Sequence, residues 1–235
     1  MRNVADAFLR AQSSYEKHSN VQKQMACRLV EILLSQPRRE YQRIFEFGGG
    51  LGAYTKMLTQ SLHFESYIYN DINDYGLCLE DARIGYRIFD MCEFDKQDLG
   101  RFSLITSNAC IQWLDFAKCV CDCAQALESG GILLISTFGE KNLYEVKVTT
   151  GVGLTYLNLE DIDIILQQYF EVIYLDEENI KLSFDSALEA FRHLKYSGVN
   201  ALGDVYLSKA MLKKIEMQFS NTLTYHPIYA LCRKK

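Results

Sequence analysis

The stretch Ile44-Phe45-Glu46-Phe47-Gly48-Gly49-Gly50-Leu51-Gly52 constrains the fold more than any other part of the chain. A β-prone apolar run ends in an acid and four glycines, and an amphipathic segment at 54–62 follows, so the expected order is strand, tight turn, helix start. Glycine is needed where the backbone takes a positive φ or approaches a ligand with no Cβ in the way, and a new helix presents free N–H groups there. A small anionic or nucleoside-bearing ligand is therefore expected across residues 48–52. The alternative is a turn whose glycines only let helix and strand pack closely.

Gly48, Gly50 and Ala53 also satisfy G-x-G-x-x-A, the dinucleotide fingerprint. Glu46 argues against a pyrophosphate because it would set a carboxylate beside it, and no Lys-Ser/Thr pair follows the glycines as a phosphate-binding loop requires. An acid at that place suits a cationic ligand. S-adenosylmethionine carries a sulfonium and an ammonium and no phosphate, and the E-x-G-x-G-x-G run resembles motif I of class I methyltransferases. Gly48, Gly50, Gly52 and Glu46 are thus its first candidate contacts.

The rest of the chain supports an α/β reading. Residues 66–71 form a β-rich run ending at Asp71, about 20 residues beyond the glycines, where a carboxylate can take both ribose hydroxyls. A third short strand over 86–89 ends at Asp90, placed for the adenine amino group. A fourth, 102–107, is followed by Asn108 and by Trp113, the only tryptophan, which either caps the core or lines the site. A helix over 115–128 is expected to stop at the Ser129-Gly130-Gly131 cap before an all-apolar central strand at 132–136. Helices at 159–168, 185–196 and 209–217 and strands at 170–175, 180–184 and up to residue 232 complete the pattern.

Two helices, 4–13 and 15–35, precede the first strand. The second carries Val21, Met25, Leu29, Ile32 and Leu33 at helical spacing, and Tyr15, His18 and Gln22 on a polar-aromatic face. That face reads as a lid over the cofactor, with a solvated face bearing a half-buried tyrosine as the alternative.

With 235 residues, 49% hydrophobic, two prolines and no Ser/Gly-rich linker, one domain is the simplest expectation. The net charge of −5 argues against a general nucleic-acid footprint, so any acidic partner must meet a local basic patch. Lys209, Lys213 and Lys214, at i, i+4 and i+5 of a helix, are the candidates. Eight cysteines follow neither C-x-x-C pairs nor a secreted-scaffold spacing, and no leader is read at the N-terminus, so a reducing cytoplasmic setting is expected. Cys119, Cys121 and Cys123 are not expected to bind a metal, since on a helix Cys121 faces away from the other two. No run reaches the ~18 to 20 apolar residues of a membrane span.

Four separated stretches carry a closer resemblance: Phe8-Leu9-Arg10-Ala11 with Tyr15-Glu16-Lys17-His18 and Gln22; residues 107–113, Ser-Asn-Ala-Cys-Ile-Gln-Trp; residues 188–198 with Arg192, Leu194, Lys195 and Gly198; and Leu223-Thr224-Tyr225-His226. In these the chain resembles the malonyl-acyl-carrier-protein O-methyltransferases of biotin synthesis. The resemblance implies a Rossmann-like class I methyltransferase fold: a central, mostly parallel seven-stranded sheet with an antiparallel C-terminal strand and helices on both faces. The segments would be a helical lid at 1–40, a cofactor core at 41–138 and a C-terminal part at 139–235 with substrate or lid helices about 185–217.

The same resemblance implies methyl transfer from S-adenosylmethionine to the free carboxylate of a malonyl thioester on its carrier protein, or on CoA, leaving S-adenosylhomocysteine. Gln22 and Asn108 join the cofactor contacts, and Tyr15, Trp113 and Arg192 become the candidates on the acceptor side. Arg192 is chosen because a guanidinium can grip both carboxylate oxygens, with Lys195 and His193 in reserve; the alternative places Arg192 and Lys195 on a solvated helix face. The chain departs from the family at Gly49, where cysteine is common, at Ala124, where arginine is frequent, and in shortened segments around 140–158 and 199–208. A malonyl carboxylate is already ionised at neutral pH, so no general base is required. Two rivals remain: methylation of a hydroxyl or amine with His18 or His193 as base, and a non-catalytic binder on the same fold.

Overall fold

The structure, a computed structural model, describes residues 2–197 and 207–235. In chain order its helices and strands are α1 (Arg2–His18), α2 (Asn20–Ser35), β1 (Glu40–Phe47), α3 (Ala53–Ser61), β2 (His63–Asp71), β3 (Ile84–Ile88), β4 (Phe102–Ser107), α4 (Phe116–Ala126), β5 (Leu127–Phe138), α5 (Tyr144–Thr150), α6 (Leu159–Gln167), β6 (Phe170–Glu177), β7 (Ile180–Ser183), α7 (Ala187–Tyr196), α8 (Lys209–Phe219), β8 (Thr222–Tyr225) and β9 (Pro227–Lys234). Short 3-10 turns occupy Met91–Lys96 and Ile111–Trp113. The chain forms two compact units, one from residues 22–137, 158–176 and 228–235, the other from 2–21, 138–157, 177–197 and 207–227. Both therefore draw on separated parts of the chain, and the division falls at Val21/Gln22 inside α2 where the sequence suggested a segment boundary near residue 40.

The first unit is built on a seven-stranded sheet in the order β3-β2-β1-β4-β5-β9-β6. β1 pairs in parallel with β2 and β4, β2 with β3, and β4 with β5. The Lys235 N–H donates to the Tyr169 carbonyl at the start of β6, and the Glu178 N–H donates to the Pro227 carbonyl at its far end, so β9 runs antiparallel to β6. Every residue of β4 is buried, as in a strand covered on both faces, and its hydroxyls at Ser103, Thr106 and Ser107 are each hydrogen-bonded. Side chains alternate across β1: Phe45 stacks with Phe94 (centroids 5.0 Å) and packs with Phe102 (5.2 Å) on one face, and Glu46 points to the other, toward Tyr67. The chain leaves β1 for β2 and β3 on one side and returns to β4 on the other. That reversal opens a crevice at the carboxyl ends of β1 and β4, the general location of ligands in such sheets.

Several local expectations change. α4 ends at Ala126 and the chain is already extended at Leu127, so Gly130 and Gly131 lie inside β5 and do not cap the helix. They serve a register shift against β4 between Phe102 and Leu104, where a Cβ on Gly131 would stand 2.9 Å from the Glu128 carbonyl oxygen. α1 runs unbroken to His18, and the break falls at the buried Ser19, whose N–H donates to the Tyr15 carbonyl. Tyr15 and His18 consequently sit on α1 and Gln22 on α2, so the three do not share one helix face. β6 and β7 do not pair with each other: β6 edges the large sheet, and β7 pairs antiparallel with β8. Cys119 and Cys123 are buried free thiols within hydrogen-bonding reach of each other, whereas Cys121 is partly exposed, as the helical turn demands. Gly198 and the part of the shortened 199–208 stretch up to residue 206 lie outside the described residues.

The second unit holds α1, α5, α7, α8 and the β7–β8 ribbon. No periodic pattern announces α5, whose seven residues are too few to show one. It is oriented by Glu145, a buried acid whose Oε1 accepts the Thr224 hydroxyl (2.6 Å) and whose Oε2 accepts the Thr224 N–H (3.1 Å). Next to it, Asn142 Oδ1 accepts the His226 N–H and its Nδ2 donates to the Tyr156 hydroxyl. His226 Nδ1 accepts the Lys141 N–H, and its Nε2 stands 3.0 Å from Glu177 Oε2, at ion-pair distance though off the axis of a good hydrogen bond. These bonds fasten the residues before and within α5 to the Leu-Thr-Tyr-His segment, which accounts for the clustering of polar groups in that segment. Glu145→Ala removes both contacts and strands a buried hydroxyl, so it is expected to cost about 2 to 4 kcal/mol in urea unfolding, against under ~0.5 for the exposed neighbour Lys147→Ala. Equal effects at the two positions would refute this role for Glu145.

Candidate functional site

The glycine turn lies at the crevice of the first unit and is held from several directions. The Gly49 N–H donates to the Asn70 carbonyl (3.0 Å), the Tyr69 hydroxyl donates to the Gly50 carbonyl (2.6 Å), and the Gly50 N–H donates to Asp71 Oδ2 (3.0 Å). Gly48, Gly50 and Gly52 all have φ between 55° and 76°, the left-handed region, so side chains are disfavoured at each on backbone grounds. What lies beside them differs. A Cβ on Gly48 would meet the Cys110 side chain at 2.4 Å, one on Gly49 the Tyr69 ring at 2.2 Å, and one on Gly52 the Leu77 side chain at 2.6 Å. At Gly50 nothing lies within 4 Å. The space beside Gly49 is filled by Tyr69, which explains how this chain dispenses with the cysteine common at that position.

Glu46 stands at the end of β1 beside this turn and is 1% exposed. Its Oε2 accepts the Tyr67 hydroxyl at 2.5 Å, with Thr55 of α3 nearby. Burial pushes its carboxyl up from 4.5 to about 7, against the pull of the two hydroxyls, and Asp71 adds to the rise. Asp71 is also buried and does more than wait for a ligand. Its Oδ2 holds Gly50, its Oδ1 accepts the Asn73 N–H (2.9 Å), and burial still raises its carboxyl against those donors. Asp90 is half-buried, and its Oδ1 accepts the Cys92 N–H (2.9 Å), capping the 3-10 turn that follows β3.

Asn108 and Gln22 come together: Asn108 Nδ2 donates to the Gln22 carbonyl (2.9 Å), and its Oδ1 accepts the Ser136 hydroxyl (2.8 Å). Ser136 in turn accepts the Ala109 N–H, and Ala109 takes a positive φ of 51°, so the residues after β4 are tied to β5 and to α2. Trp113 is half-buried in the 3-10 turn, its N–H donating to the Cys110 carbonyl. Ala124 is buried on α4, where an arginine would lose its water. Sequence reasoning missed Tyr67, Tyr69 and Cys110; the alternation of the two tyrosines two residues apart on a strand was the available sign that they share a face with Glu46.

In the second unit, Tyr15 and His18 lie on α1, and Arg192 and His193 on α7. His193 Nε2 is 2.9 Å from the Tyr225 hydroxyl, the His18 and His193 rings are 6.4 Å apart, and burial together with His18 lowers the His193 imidazole. His18 also stacks on Tyr196 at 5.0 Å. Tyr15 packs edge-on against Phe8. Arg192 is exposed, on the outward side of α7 whose inward side carries Ala190 and Leu194.

Comparison with known proteins places this arrangement. Residues 45–135 match the methyltransferase domain family. The malonyl-[acyl-carrier protein] O-methyltransferase of Bacteroides thetaiotaomicron is 32% identical over 99% of this chain and 97% of its own length. That of Calditerrivibrio nitroreducens is 30% identical over 94% of this chain and 91% of its own. Among solved structures, the fold is similar to a Haemonchus contortus phosphoethanolamine N-methyltransferase 2 with S-adenosylhomocysteine (TM-score 0.57, 20% identity, 88% of this chain and 52% of that one).

The buried Glu46 carboxyl makes a measurable demand on stability. Its folded value of about 7 lies above the unfolded value near 4.5, so the ligand-free protein draws full stability from this group below about pH 4.5 and loses it as pH rises to 7 and above. The loss amounts to roughly 3 kcal/mol at 1.36 kcal/mol per unit. Glu46→Gln keeps an acceptor for Tyr67 and cannot ionise, so its stability relative to wild type is expected to rise by that amount between pH 4.5 and 8 in urea titrations. Parallel pH profiles for the two proteins would remove the basis for a perturbed Glu46.

Proposed function

The chain belongs to the malonyl-[acyl-carrier protein] O-methyltransferase family, and on that premise we propose that it transfers a methyl group from S-adenosylmethionine to the free carboxylate of a malonyl group carried by acyl-carrier protein. The product is a neutral methyl ester, which primes pimeloyl synthesis for biotin. The observation that carries the cofactor side is the glycine turn: its other three glycines face Cys110, Tyr69 and Leu77, whereas the space beside Gly50 is open, its N–H is held by Asp71, and Asp71 in turn acts electrostatically on Glu46. Space without a Cβ, at a turn held by a carboxylate, fits a ligand with cationic groups and no phosphate. When bound, S-adenosylmethionine supplies an electrophilic methyl group on its sulfonium and leaves as S-adenosylhomocysteine.

Glu46, Gly48, Gly50, Gly52, Asp71, Asp90, Asn108 and Gln22 would hold it, the turn offering backbone N–H and C=O groups and the acids taking its hydroxyl and amino groups. Asp71 has a second lone-pair direction on each oxygen beyond the backbone donors it already accepts. On the acceptor side Tyr15, Trp113 and Arg192 are the assigned residues; an exposed guanidinium is fully hydrated until it meets a carboxylate, and gripping both oxygens orients the acceptor. No base is needed, because the acceptor is ionised. Positioning and water exclusion supply the acceleration, and holding two reactants in attack geometry contributes on the order of 7 to 11 kcal/mol. A cytoplasmic setting fits eight cysteines that are all free thiols, and among the described residues no helix is long and apolar enough to cross a membrane.

A hydroxyl or amine acceptor is the second reading, favoured by the half-buried His193, whose imidazole is lowered by burial and by His18 and whose neutral form can accept a proton. Incubation with saturating methyl-labelled S-adenosylmethionine and malonyl-carrier protein should give an alkali-labile ester at a rate flat between pH 6.5 and 8. A rate that falls steeply with acid, on a hydroxyl acceptor alone, would overturn the carboxylate reading. For the cofactor, Gly50→Val is expected to weaken S-adenosylhomocysteine binding at least tenfold in calorimetry, because its side chain enters the open space. Unchanged affinity would place the ligand elsewhere. Arg192→Ala is expected to lower turnover on malonyl-carrier protein and malonyl-CoA alike, and untouched turnover would withdraw Arg192 as the clamp.

A further inference from the structure

Two helices of the second unit present an outward face that the catalytic reading leaves unused. On α5, Glu145, Val146 and Thr149 point inward and Tyr144, Lys147 and Val148 outward, with Tyr144 43% and Val148 53% exposed. The two bonds from Glu145 to Thr224 fix that rotation. On α8, Ile215 is buried and Lys209, Lys213, Glu216 and Met217 face outward, Met217 being 72% exposed. The helices lie side by side and antiparallel. The Tyr144 ring meets Phe219 edge-on at 5.6 Å, and Lys214 Nζ donates to the Val148 carbonyl at 2.8 Å, which also caps the end of α5.

Together the outward faces of these two neighbouring helices carry three exposed apolar side chains, Tyr144, Val148 and Met217, and three lysines, Lys147, Lys209 and Lys213, with Glu216 the one acid among their described exposed residues. An exposed Met, Tyr and Val together with three lysines on two adjacent helices is the composition of a binding surface and not of an ordinary solvated face. It is also notable for its sign, since the chain as a whole carries −5.

We propose that this α5–α8 face docks the acyl-carrier protein, an acidic partner whose carboxylates meet Lys147, Lys209 and Lys213 while an apolar residue of the same helix rests on Met217, Tyr144 and Val148. The proposal rests on the methyl-transfer reading above and identifies where its macromolecular substrate is held. The three lysines steer the carrier and set its encounter rate, and the apolar side chains set its residence. Lys214 is excluded from the recognition set because its ammonium already serves the end of α5.

The test compares two substrates that share a reacting group: malonyl-carrier protein, and malonyl-pantetheine, which has the thioester without carrier or phosphate. For the Lys147→Glu/Lys213→Glu double variant, kcat/KM on the carrier substrate is expected to fall at least tenfold through KM, with a flattened salt dependence, while kcat/KM on malonyl-pantetheine stays within twofold. Met217→Ala should weaken the carrier substrate several-fold with its salt dependence retained. A carrier whose helix acids are reversed to lysine should recover activity with the double variant. Equal losses on both substrates, no loss on the carrier, or loss only through dissociation of a dimer of this chain would each overturn the docking assignment. Failure of the wild-type protein to methylate either malonyl thioester would instead overturn the reading on which it rests.

Discussion

The bond from the Gly50 N–H to the Asp71 carboxyl is the contact on which the site depends, because it joins the turn after β1 to the end of β2. Parallel strands have no hairpin to fix their ends relative to one another, so something else must set where the two carboxyl edges finish. Here Asp71 does so with Gly50, Asn70 with Gly49 through its carbonyl, and Tyr69 with Gly50 through its hydroxyl. Three successive residues of β2 thus grip the turn, Tyr69 and Asp71 by side chains on one face and Asn70 by its backbone carbonyl. A turn made of glycines loses much conformational entropy on folding, and these bonds offset that cost without filling the space beside Gly50.

Much of this was readable from residue type. The motif at 44–52 places a strand, a turn and a helix start, and the structure has β1, left-handed glycines and α3 there. β4 coincides with the expected 102–107 because six consecutive buried residues admit one assignment. The misplacements have a common cause: local signals were read where tertiary ones decide. Gly130-Gly131 has the look of a helix end, yet the pairing of Leu127 with Phe102 pulls the chain into the sheet three residues earlier. Ser13 and Ser14 have only a modest helix penalty, and α1 continues through them.

The candidate site was legible as a set of residues and less so as a set of roles. Asp71 and Asp90 stand at the strand ends where they were expected, but each also accepts backbone N–H groups that shape its own loop. A sequence marks where a carboxylate is and cannot distinguish a ligand contact from a loop fastening, since both want the same acid at the same strand end. Gln22 and Asn108, 86 residues apart, meet through a backbone carbonyl, which no side-chain pattern encodes. The carboxyl of Glu145 was missed for the opposite reason: in a short segment a buried acid looks like a surface one until its partner, 79 residues away, is placed beside it.

Glu46 shows why such an acid persists. A carboxyl that is 1% exposed, raised to about 7 and in no ion pair among the described residues is a poor choice for the structure alone, since an apolar or amide side chain of similar size would avoid the cost of burying an ionisable group. The Tyr67 hydroxyl bonded to it, with the Thr55 hydroxyl nearby, reduces that cost without removing it. In the proposed reading, a cation brought near this carboxyl would favour the ionised form and turn an unfavourable burial into an attraction, so the same group that burdens the empty fold would strengthen ligand binding. Local frustration of this kind at the end of the first strand, beside a turn stripped of side chains, is what separates a binding turn from one that merely lets a helix and a strand approach.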